Sequence, residues 1–468
     1  MNLHEIQDEM ARLGIAQPNS PPAPDARYYN PQAETMPREQ LLDNQRRQLQ
    51  RLVRWAYDET PFNRRRFDEA GIDPTAVHGI EDLESLPIFR RDEMRVEQAD
   101  DPPFGTMLAR AARTHLQYVS KSTGTTGRPA RQPWTFADLD ALGEVVGRSY
   151  FLSGVRPGMV FMGWIPMERS YVGSIFTPII GSHLGVVIAP EGPTVLVNER
   201  EAAIDYALEM SKLGPLVSYT SPVLYRMLGE AFQARGVDSP MQVLMCAAMI
   251  LTPEMRQVLQ TLHPHGTVTY QYGTTDGLTL GECPVGEGIH IWEDLVIMEV
   301  LDPETGKPVP EGERGELTIT FLGQYAQPMI RFGIEDVVEN RFADEPCACG
   351  RTHRRLLNPI VGRVGDRFTV QGRAFLPFDV EQVLARIPET TGLYQIRVTS
   401  GADQAALRVR VETQHARDDA AYQELVAQRL REGLGVPAEV ELLAPGGVPI
   451  SGYKAQIIVK EPASGSPS

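Results

Sequence analysis

The sequence predicts an α/β protein in two parts, a large N-terminal domain built of several subdomains and a small α+β C-terminal domain. Three observations carry that prediction. A chain of 468 residues with 42% hydrophobic content is too long for one simple core, and at about 150 residues per domain it divides into roughly two to four. Between about residues 140 and 265 helical stretches alternate with short apolar runs, the pattern of buried strands between helices. From Ile289 to Thr320 the spacing changes to period two, and after Gly362 short strands and helices follow again.

Taken in order, the first thirty residues hold Glu5, Asp8 and Glu9 and then a Pro-rich stretch, without the basic start and apolar run of a secretory leader. Residues 38–70 place Leu41, Leu42, Leu49, Leu52, Val53, Ala56 and Tyr57 near helical spacing, broken at Pro61. They read as an amphipathic cap followed by a second, charged helix. The runs 159–165, 185–190 and 242–248 are strands of a doubly wound middle, and the acidic residues of 200–212 form the solvated face of a helix. His263 and His265 flank Pro264 and are expected in a surface loop with no role. Residues 296–301 and 316–320 are strands punctuated by the hairpin-like turn Asp302-Pro303-Glu304-Thr305-Gly306, which makes about 285–345 a smaller β unit. The main boundary is placed near Asp366. Beyond it 396–399 and 406–412 are strands, 421–433 is a helix, and a Gly/Ser/Pro tail frays. No internal repeat is visible.

The formal net charge is −16, with a pI near 5.1. Such a surface repels phosphate backbones, so nucleic acid is not an expected partner, and any phosphate site has to be built locally. Four cysteines do not make a disulfide scaffold, which fits a reducing compartment. No apolar stretch reaches the roughly 18 residues of a membrane span. The expectation is a soluble, cytoplasmic protein.

Several short strings can carry chemistry. Ser122-Thr123-Gly124-Thr125-Thr126-Gly127-Arg128-Pro129 gathers hydroxyls and glycines into one loop; glycine lets backbone N–H groups close on phosphate oxygens, although the Walker spacing is absent and an ordinary turn would look alike. Gln271-Tyr272-Gly273-Thr274-Thr275-Asp276 follows an apolar strand and offers a ring to pack on a base, a close backbone and an acid able to bind Mg²⁺. Asp336, in Arg331-Phe332-Gly333-Ile334-Glu335-Asp336, suits two ribose hydroxyls. Gly362-Arg363-Val364-Gly365-Asp366-Arg367 ends at a plausible hinge, and Ser451-Gly452-Tyr453-Lys454 holds one lysine in a glycine-containing loop.

In this order the strings resemble the phenylacetate–CoA ligase branch of the adenylate-forming enzyme superfamily, from about Arg46 to Val459. The resemblance includes the N-terminal string from Tyr57 through Pro61, Phe62 and Arg64 to Gly71, then Gly288-Ile289-His290-Ile291-Trp292-Glu293-Asp294 and Pro328-Met329-Ile330-Arg331-Phe332. It implies that a carboxylate attacks the α-phosphorus of ATP to give acyl-AMP and pyrophosphate, after which the CoA thiol displaces AMP. It implies an adenylate-forming domain over 1–365 and a mobile C-terminal domain over 366–468 that rotates about Asp366. Ser122 to Gly127 would be the phosphate loop, Tyr272 would stack near adenine beside Ala248, Asp336 would bind ribose, and Arg363 would contact ribose or phosphate. Lys454 matches the catalytic lysine. Like-charge repulsion between carboxylate and phosphate explains why Mg²⁺ and a mobile cation are needed. A homodimer is the family expectation.

The chain departs from the family pattern in three places. Arg128 replaces the usual loop lysine, Asp276 the usual glutamate, and Ala247-Ala248-Met249-Ile250 the usual Gly-Ala-Glu-Pro; a planar fork is not a compact ammonium, and Mg²⁺ would be reached from Asp276 through a water. Cys283, His290, Cys347 and Cys349 offer three sulfurs and a nitrogen for structural Zn²⁺, with His353 as a rival ligand, while Cys246 reads as a core residue. The family's acid pocket points to Trp164, Tyr171, Ala247, Ala248 and Gly273, the first two able to flank a flat aromatic acid or to be ordinary core aromatics. The expected function is an ATP-, Mg²⁺- and CoA-dependent ligase for an aryl or arylacetic acid. Transfer to a carrier-protein thiol, and a retired nucleotide-binding homologue, stand as alternatives.

Overall fold

The computed structural model describes Glu5, Asp8 and residues 21–122, 129–163, 172–190, 199–358, 360–399, 403–415, 418–451 and 454–461. The N-terminal cap is two helices, α1 (Arg38–Glu59) and α2 (Pro61–Ala70). They part at Thr60 because Pro61 forces the residue before it out of the helical region, and Thr60 has φ −121° and ψ 117°. α2 stops at Gly71, whose φ of +68° makes a left-handed cap. α1 buries Leu41, Leu49, Leu52, Val53, Trp55 and Ala56, and each large apolar chain contributes about 2 kcal/mol before chain entropy is counted.

Strand β1 (Phe89–Arg90) runs straight into α3 (Arg91–Asp100). A hairpin, β2 (Leu116–Lys121) and β3 (Arg131–Thr135), then leads into the alternating middle: α4 (Phe136–Leu152), β4 (Val160–Gly163), α5 (Val172–Leu184), β5 (Val187–Pro190), α6 (Arg200–Met210), β6 (Leu216–Thr220), α7 (Pro222–Ala234), β7 (Met241–Cys246), α8 (Pro253–Leu262) and β8 (Thr267–Gly273). Thr135, Ser221 and Thr252 cap α4, α7 and α8 by accepting from the third amide of each helix. Strands β9 (Thr279–Glu282), β10 (Ile289–His290), β11 (Val296–Leu301), β12 (Arg314–Phe321), β13 (Phe332–Glu339), β14 (Phe342–Ala343), β15 (Arg355–Leu356) and β16 (Gly362–Arg363) complete this part.

The nine-stranded sheet orders β5-β4-β6-β7-β8 in parallel and continues antiparallel through β9, β10, β15 and β14. Its order reverses beside β4, the switch at which such sheets open a crevice at their carboxyl ends. The second sheet runs β1-β13-β12-β11 with β16 also on β13. The β unit therefore recruits β1 from far upstream, which period-two spacing did not reveal. Between β11 and β12, Asp302 Oδ1 accepts from Glu304 N (3.1 Å) and Thr305 N (2.7 Å), closing the expected turn.

The C-terminal part holds β17 (Phe368–Val370), β18 (Arg373–Phe375), α9 (Pro377–Leu384), β19 (Thr390–Thr399), β20 (Asp403–Gln404), β21 (Leu407–Thr413), α10 (Ala420–Leu434), β22 (Ala438–Leu443), β23 (Ile450–Ser451), β24 (Lys454–Ala455) and β25 (Ile458–Glu461). Its four-stranded sheet, β22-β21-β19-β25, encloses a core of its own that includes Val380, Leu384, Ile396, Val409, Val426 and Leu430. It meets the N-terminal part through Arg314–Asp379 (2.8 Å) and Arg226 Nη1 to Thr390 O (3.2 Å). Val223, Leu393, Leu443 and Val448 form an apolar cluster across the same boundary.

His263 corrects the sequence reading. It is buried, with Nδ1 2.6 Å from Ser239 Oγ and Nε2 2.9 Å from Tyr225 O. The end of α8 folds against α7, so the ring is satisfied inside and burial pushes its pKa down. Among the described residues no helix is long and apolar enough to cross a membrane.

Candidate active site

β13 and β16 are paired with Asp336 opposite Arg363, and β8 delivers Tyr272 to the same place. Tyr272 Oη donates to Asp336 Oδ2 at 2.6 Å, and Arg363 Nε donates to Oδ1 at 3.2 Å. Arg363 also holds Ile334 O (3.1 Å) and Glu335 (3.0 Å). Burial, then the Asp336 charge, push the Tyr272 phenol well above its ordinary value, so it stays a donor. Ala248 (φ 66°), Arg331 (φ 53°) and Glu335 (φ 65°) are three of the five non-glycine residues with positive φ among the described residues. All three lie in the strings singled out from the sequence, and backbone strain of this kind gathers at functional sites.

The loop after β8 exposes Gly273 and half-buries Thr274 and Thr275. Thr274 N donates to Leu278 O at 3.0 Å. Asp276 is held on three sides: Gln132 and Gln324 donate to its carbonyl at 3.2 and 2.6 Å, and its carboxylate is bridged by Arg91, Nη1 to Oδ1 at 2.8 Å and Nη2 to Oδ2 at 2.6 Å. Sequence reasoning missed Arg91. It starts α3, 185 positions before Asp276, and no local pattern marks it. As arranged here both oxygens of the Asp276 carboxylate are engaged by Arg91 and the group is almost wholly buried.

Ser122 lies at the neck of its loop, where Oγ accepts from Ala130 N (3.0 Å) and its amide donates to Ala130 O (2.9 Å). Thr123, Gly124, Thr125, Thr126, Gly127 and Arg128, and also Trp164 and Tyr171, lie outside the described residues. Ala247 is buried and its amide donates to Thr220 O (2.9 Å), while Ala248 is exposed. Lys454 is described as backbone in β24 and its side chain lies outside the described residues. The neighbouring Ala455 packs, with Ile450, on the same cluster as Met249. That places β24 beside the 247–250 string. Asp366 sits in a short 3₁₀ turn, Val364–Asp366, clasped by Lys460 Nζ on Gly365 O (2.8 Å). Burial raises its carboxyl pKa against the pull of Arg363 and Lys460.

The structure brings Cys283, His290, Cys347 and Cys349 together, with all four ligand atoms within 4.8 Å of one another. Cys283 Sγ to Cys347 Sγ and Cys349 Sγ to His290 Nε2 are each 3.7 Å. A tetrahedral zinc with bonds of about 2.3 Å to sulfur and 2.0 Å to nitrogen needs edges of about 3.8 and 3.5 Å, so the donor set fits that ion. The rival His353 is committed elsewhere: Nδ1 accepts from Glu293 N (3.1 Å) and Nε2 donates to Ala33 O (3.0 Å). Behind the cluster, Asp294 takes Arg148 Nη1 at 2.8 Å on both oxygens, Arg148 also holds Glu144 (2.7 Å), and Trp292 Nε1 donates to Ser149 Oγ (2.8 Å). The Trp-Glu-Asp string thus fastens the cluster to α4. Cys246 is fully buried in β7, and burial pushes its thiol pKa up.

The AMP-binding enzyme C-terminal domain family matches residues 372–461. Over 453 residues, 90% of this chain and 97% of the relative, the sequence is 34% identical to the phenylacetate–coenzyme A ligase of Thermus thermophilus. The chain belongs to the phenylacetate–coenzyme A ligase family. As a member of that family it is an enzyme, an ATP-dependent acid–CoA ligase that works through an acyl-adenylate. Among solved structures it is similar to 2-hydroxyisobutyryl-CoA ligase in its postadenylation state, with TM-score 0.83, 24% identity and 94% of each chain covered. Against the same ligase in its thioesterification state the TM-score is 0.67, at 25% identity and the same coverage.

Proposed function

We propose that this phenylacetate–coenzyme A ligase relative activates a small aromatic or arylacetic acid. The carboxylate oxygen attacks the α-phosphorus of ATP, pyrophosphate leaves, and the sulfur of CoA then takes the acyl carbon as AMP departs. The observation that carries the reading is the convergence of Tyr272, Asp336 and Arg363, from three separate strings, on one carboxylate. Asp336 presents oxygens for the ribose, Tyr272 walls the adenine side next to Ala248, and Arg363 stands at the edge facing phosphate. Gly273, Thr274 and Thr275 offer amides and hydroxyls to the triphosphate, the 122–128 string is assigned the same role by its composition, and Arg128 stands in the sequence where the family keeps a lysine. Mg²⁺ accompanies the triphosphate.

Lys454 supplies the mobile cation that steadies charge as the adenylate forms. β24 lies against the Met249 cluster, and the fit to a postadenylation structure exceeds that to a thioesterification structure at equal coverage. Both support an arrangement that serves adenylation, with rotation about Asp366 preceding thioester formation. The domains divide at 365/366, as the separate C-terminal core supports. Trp164, Tyr171 and Ala247 are assigned to the acid pocket on the family resemblance. Cys283, His290, Cys347 and Cys349 hold a structural Zn²⁺, whose four bonds leave no position for catalysis.

The test is acid-dependent pyrophosphate release with ATP and Mg²⁺ across benzoic, phenylacetic, indoleacetic and aliphatic acids, each with and without CoA. Release with an aromatic class, completed to a thioester by free CoA, is the expected result. Release confined to aliphatic acids would overturn the substrate class, and an adenylate that free CoA cannot discharge would point to a carrier-protein thiol.

A further inference from the structure

The Asp276 carboxylate is 2% exposed and the Arg91 side chain 12% exposed, and they meet through two parallel hydrogen bonds of 2.8 and 2.6 Å. This is the fork-to-fork geometry that makes arginine–carboxylate pairs strong and directional. Two features show that the contact is built. The Asp276 carbonyl is pinned by Gln132 and Gln324, which fixes the backbone from which its carboxylate projects. Arg91 lies over the Phe332 ring, 5.5 Å from its centroid, on the helix that Gln98 fastens to β3 by bonds to Arg131 N (2.8 Å) and Arg131 O (2.6 Å). Burial works against the charge of Arg91, and Asp276, then Glu335 and Asp336, more than offset it. Arg91 therefore feels the charge of the proposed ribose contact as well as that of its own partner.

Direct binding by Asp276 would place one of its oxygens about 2.1 Å from Mg²⁺, and binding through a water would still need an oxygen free to accept from that water. A guanidinium forked over both oxygens of a carboxylate only 2% exposed stands in the way of that. We infer that Arg91 and the divalent cation compete for Asp276, so that Arg91 is a positioning residue which keeps this acid neutralised until a metal–triphosphate displaces it. The exchange conserves pairing: the carboxylate trades a monocation for a dication, and the released guanidinium trades a carboxylate for phosphate oxygens. A short acid suits it, since the shorter side chain of Asp276 keeps the fork close to the backbone that the two glutamines fix. The inference rests on the proposed nucleotide site and adds the residue that gates its metal.

The experiment measures Mn²⁺ binding to the full chain from the loss of the free-ion paramagnetic signal, with no acid present, with and without ATP. Without ATP, Arg91→Gln should gain one Mn²⁺ site about tenfold or more tighter than any in wild type, and the double variant Arg91→Gln/Asp276→Asn should lose it. Arg91→Lys, a single ammonium that covers one oxygen, should fall between, and it carries the test if the glutamine variant does not fold. Equal Mn²⁺ affinity in wild type and the Arg91 variants, or a gained site that survives in the double variant, would overturn the competition. ATP binding to wild type by calorimetry separates the two claims. If ATP binds and Arg91 changes nothing, only the competition fails; if ATP does not bind, the nucleotide-site reading itself falls.

Discussion

Arg331 is fully buried and its guanidinium donates to four backbone carbonyls, those of Leu83 (2.9 Å), Glu84 (2.8 Å), Leu86 (2.8 Å) and Gly306 (2.9 Å), while Glu299 sits 3.1 Å away. It ties the turn between β11 and β12 to the segment before β1. Arg331→Leu would leave these acceptors and a buried acid unpaired, and we expect a loss of roughly 3–5 kcal/mol in urea unfolding. The Pro-Met-Ile-Arg-Phe string is thus explained by architecture. In the proposed function Tyr272 bears on ATP binding instead. Removing its hydroxyl in Tyr272→Phe deletes one hydrogen bond to a charged acid, about 1.5–3 kcal/mol, so the KM for ATP should rise about tenfold or more, beyond any accompanying fall in thermal stability. An unchanged KM would remove Asp336 orientation from the role of Tyr272. Motif order made Tyr272, Asp336 and Arg363 legible before any coordinates, because each sits in a distinctive string. Arg91 was not legible, since a lone arginine 185 positions from its partner leaves no pattern in one sequence.

The Cys/His cluster joins elements that meet nowhere else in sequence: the loop after β9, β10, and the turn before β15. Cys349→Ser should lower zinc content and the thermal midpoint together, and metal analysis of the wild-type protein without zinc would end that assignment. Between α7, α8, α9 and β19 lies a cavity of about 260 Å³ lined partly by Arg226, Met249, Met255, Glu254, Glu381 and Tyr394. Glu381 accepts from the Tyr394 hydroxyl at 3.3 Å, and burial raises its pKa from 4.5 to about 8. A carboxyl raised on folding contributes stability that is complete below about pH 4.5 and is lost as the pH climbs through about 8. Glu381→Gln should therefore flatten the fall in thermal midpoint over that window; an identical fall in the variant would contradict the buried proton. The alternating helices and strands of 140–265 were readable from periodicity because the inner strands β4, β6 and β7 are almost wholly buried. β1 was not, since two residues carry no period, and His263 was misplaced because Pro264 signals a turn without saying which way the chain before it faces.

At the scale of the whole molecule, two bodies with separate cores meet across few polar contacts, Arg314–Asp379 and Arg226–Thr390 among them, and one apolar cluster built around Val223 and Leu393. Such a boundary suits a domain that has to leave and return. Met249 illustrates how context decides a residue. In sequence it looks like a lost polar contact where the family keeps an acid, but in the structure it packs against Ile450 and Ala455 and helps seat β24. We expect Met249→Glu to weaken adenylate formation by unseating β24 while leaving the isolated thioesterification step nearly intact. The central claim is that the described arrangement is the adenylating one, with Lys454 as its mobile cation. Its most direct measurement compares Lys454→Ala with wild type in two separate half-reactions: formation of acyl-AMP from acid and ATP, and CoA transfer from supplied acyl-AMP. The expected result is a fall of about two to four orders of magnitude in the first with the second nearly unchanged, whereas equal losses in both, or none in the first, would contradict the role given to Lys454 and the domain rotation built on it.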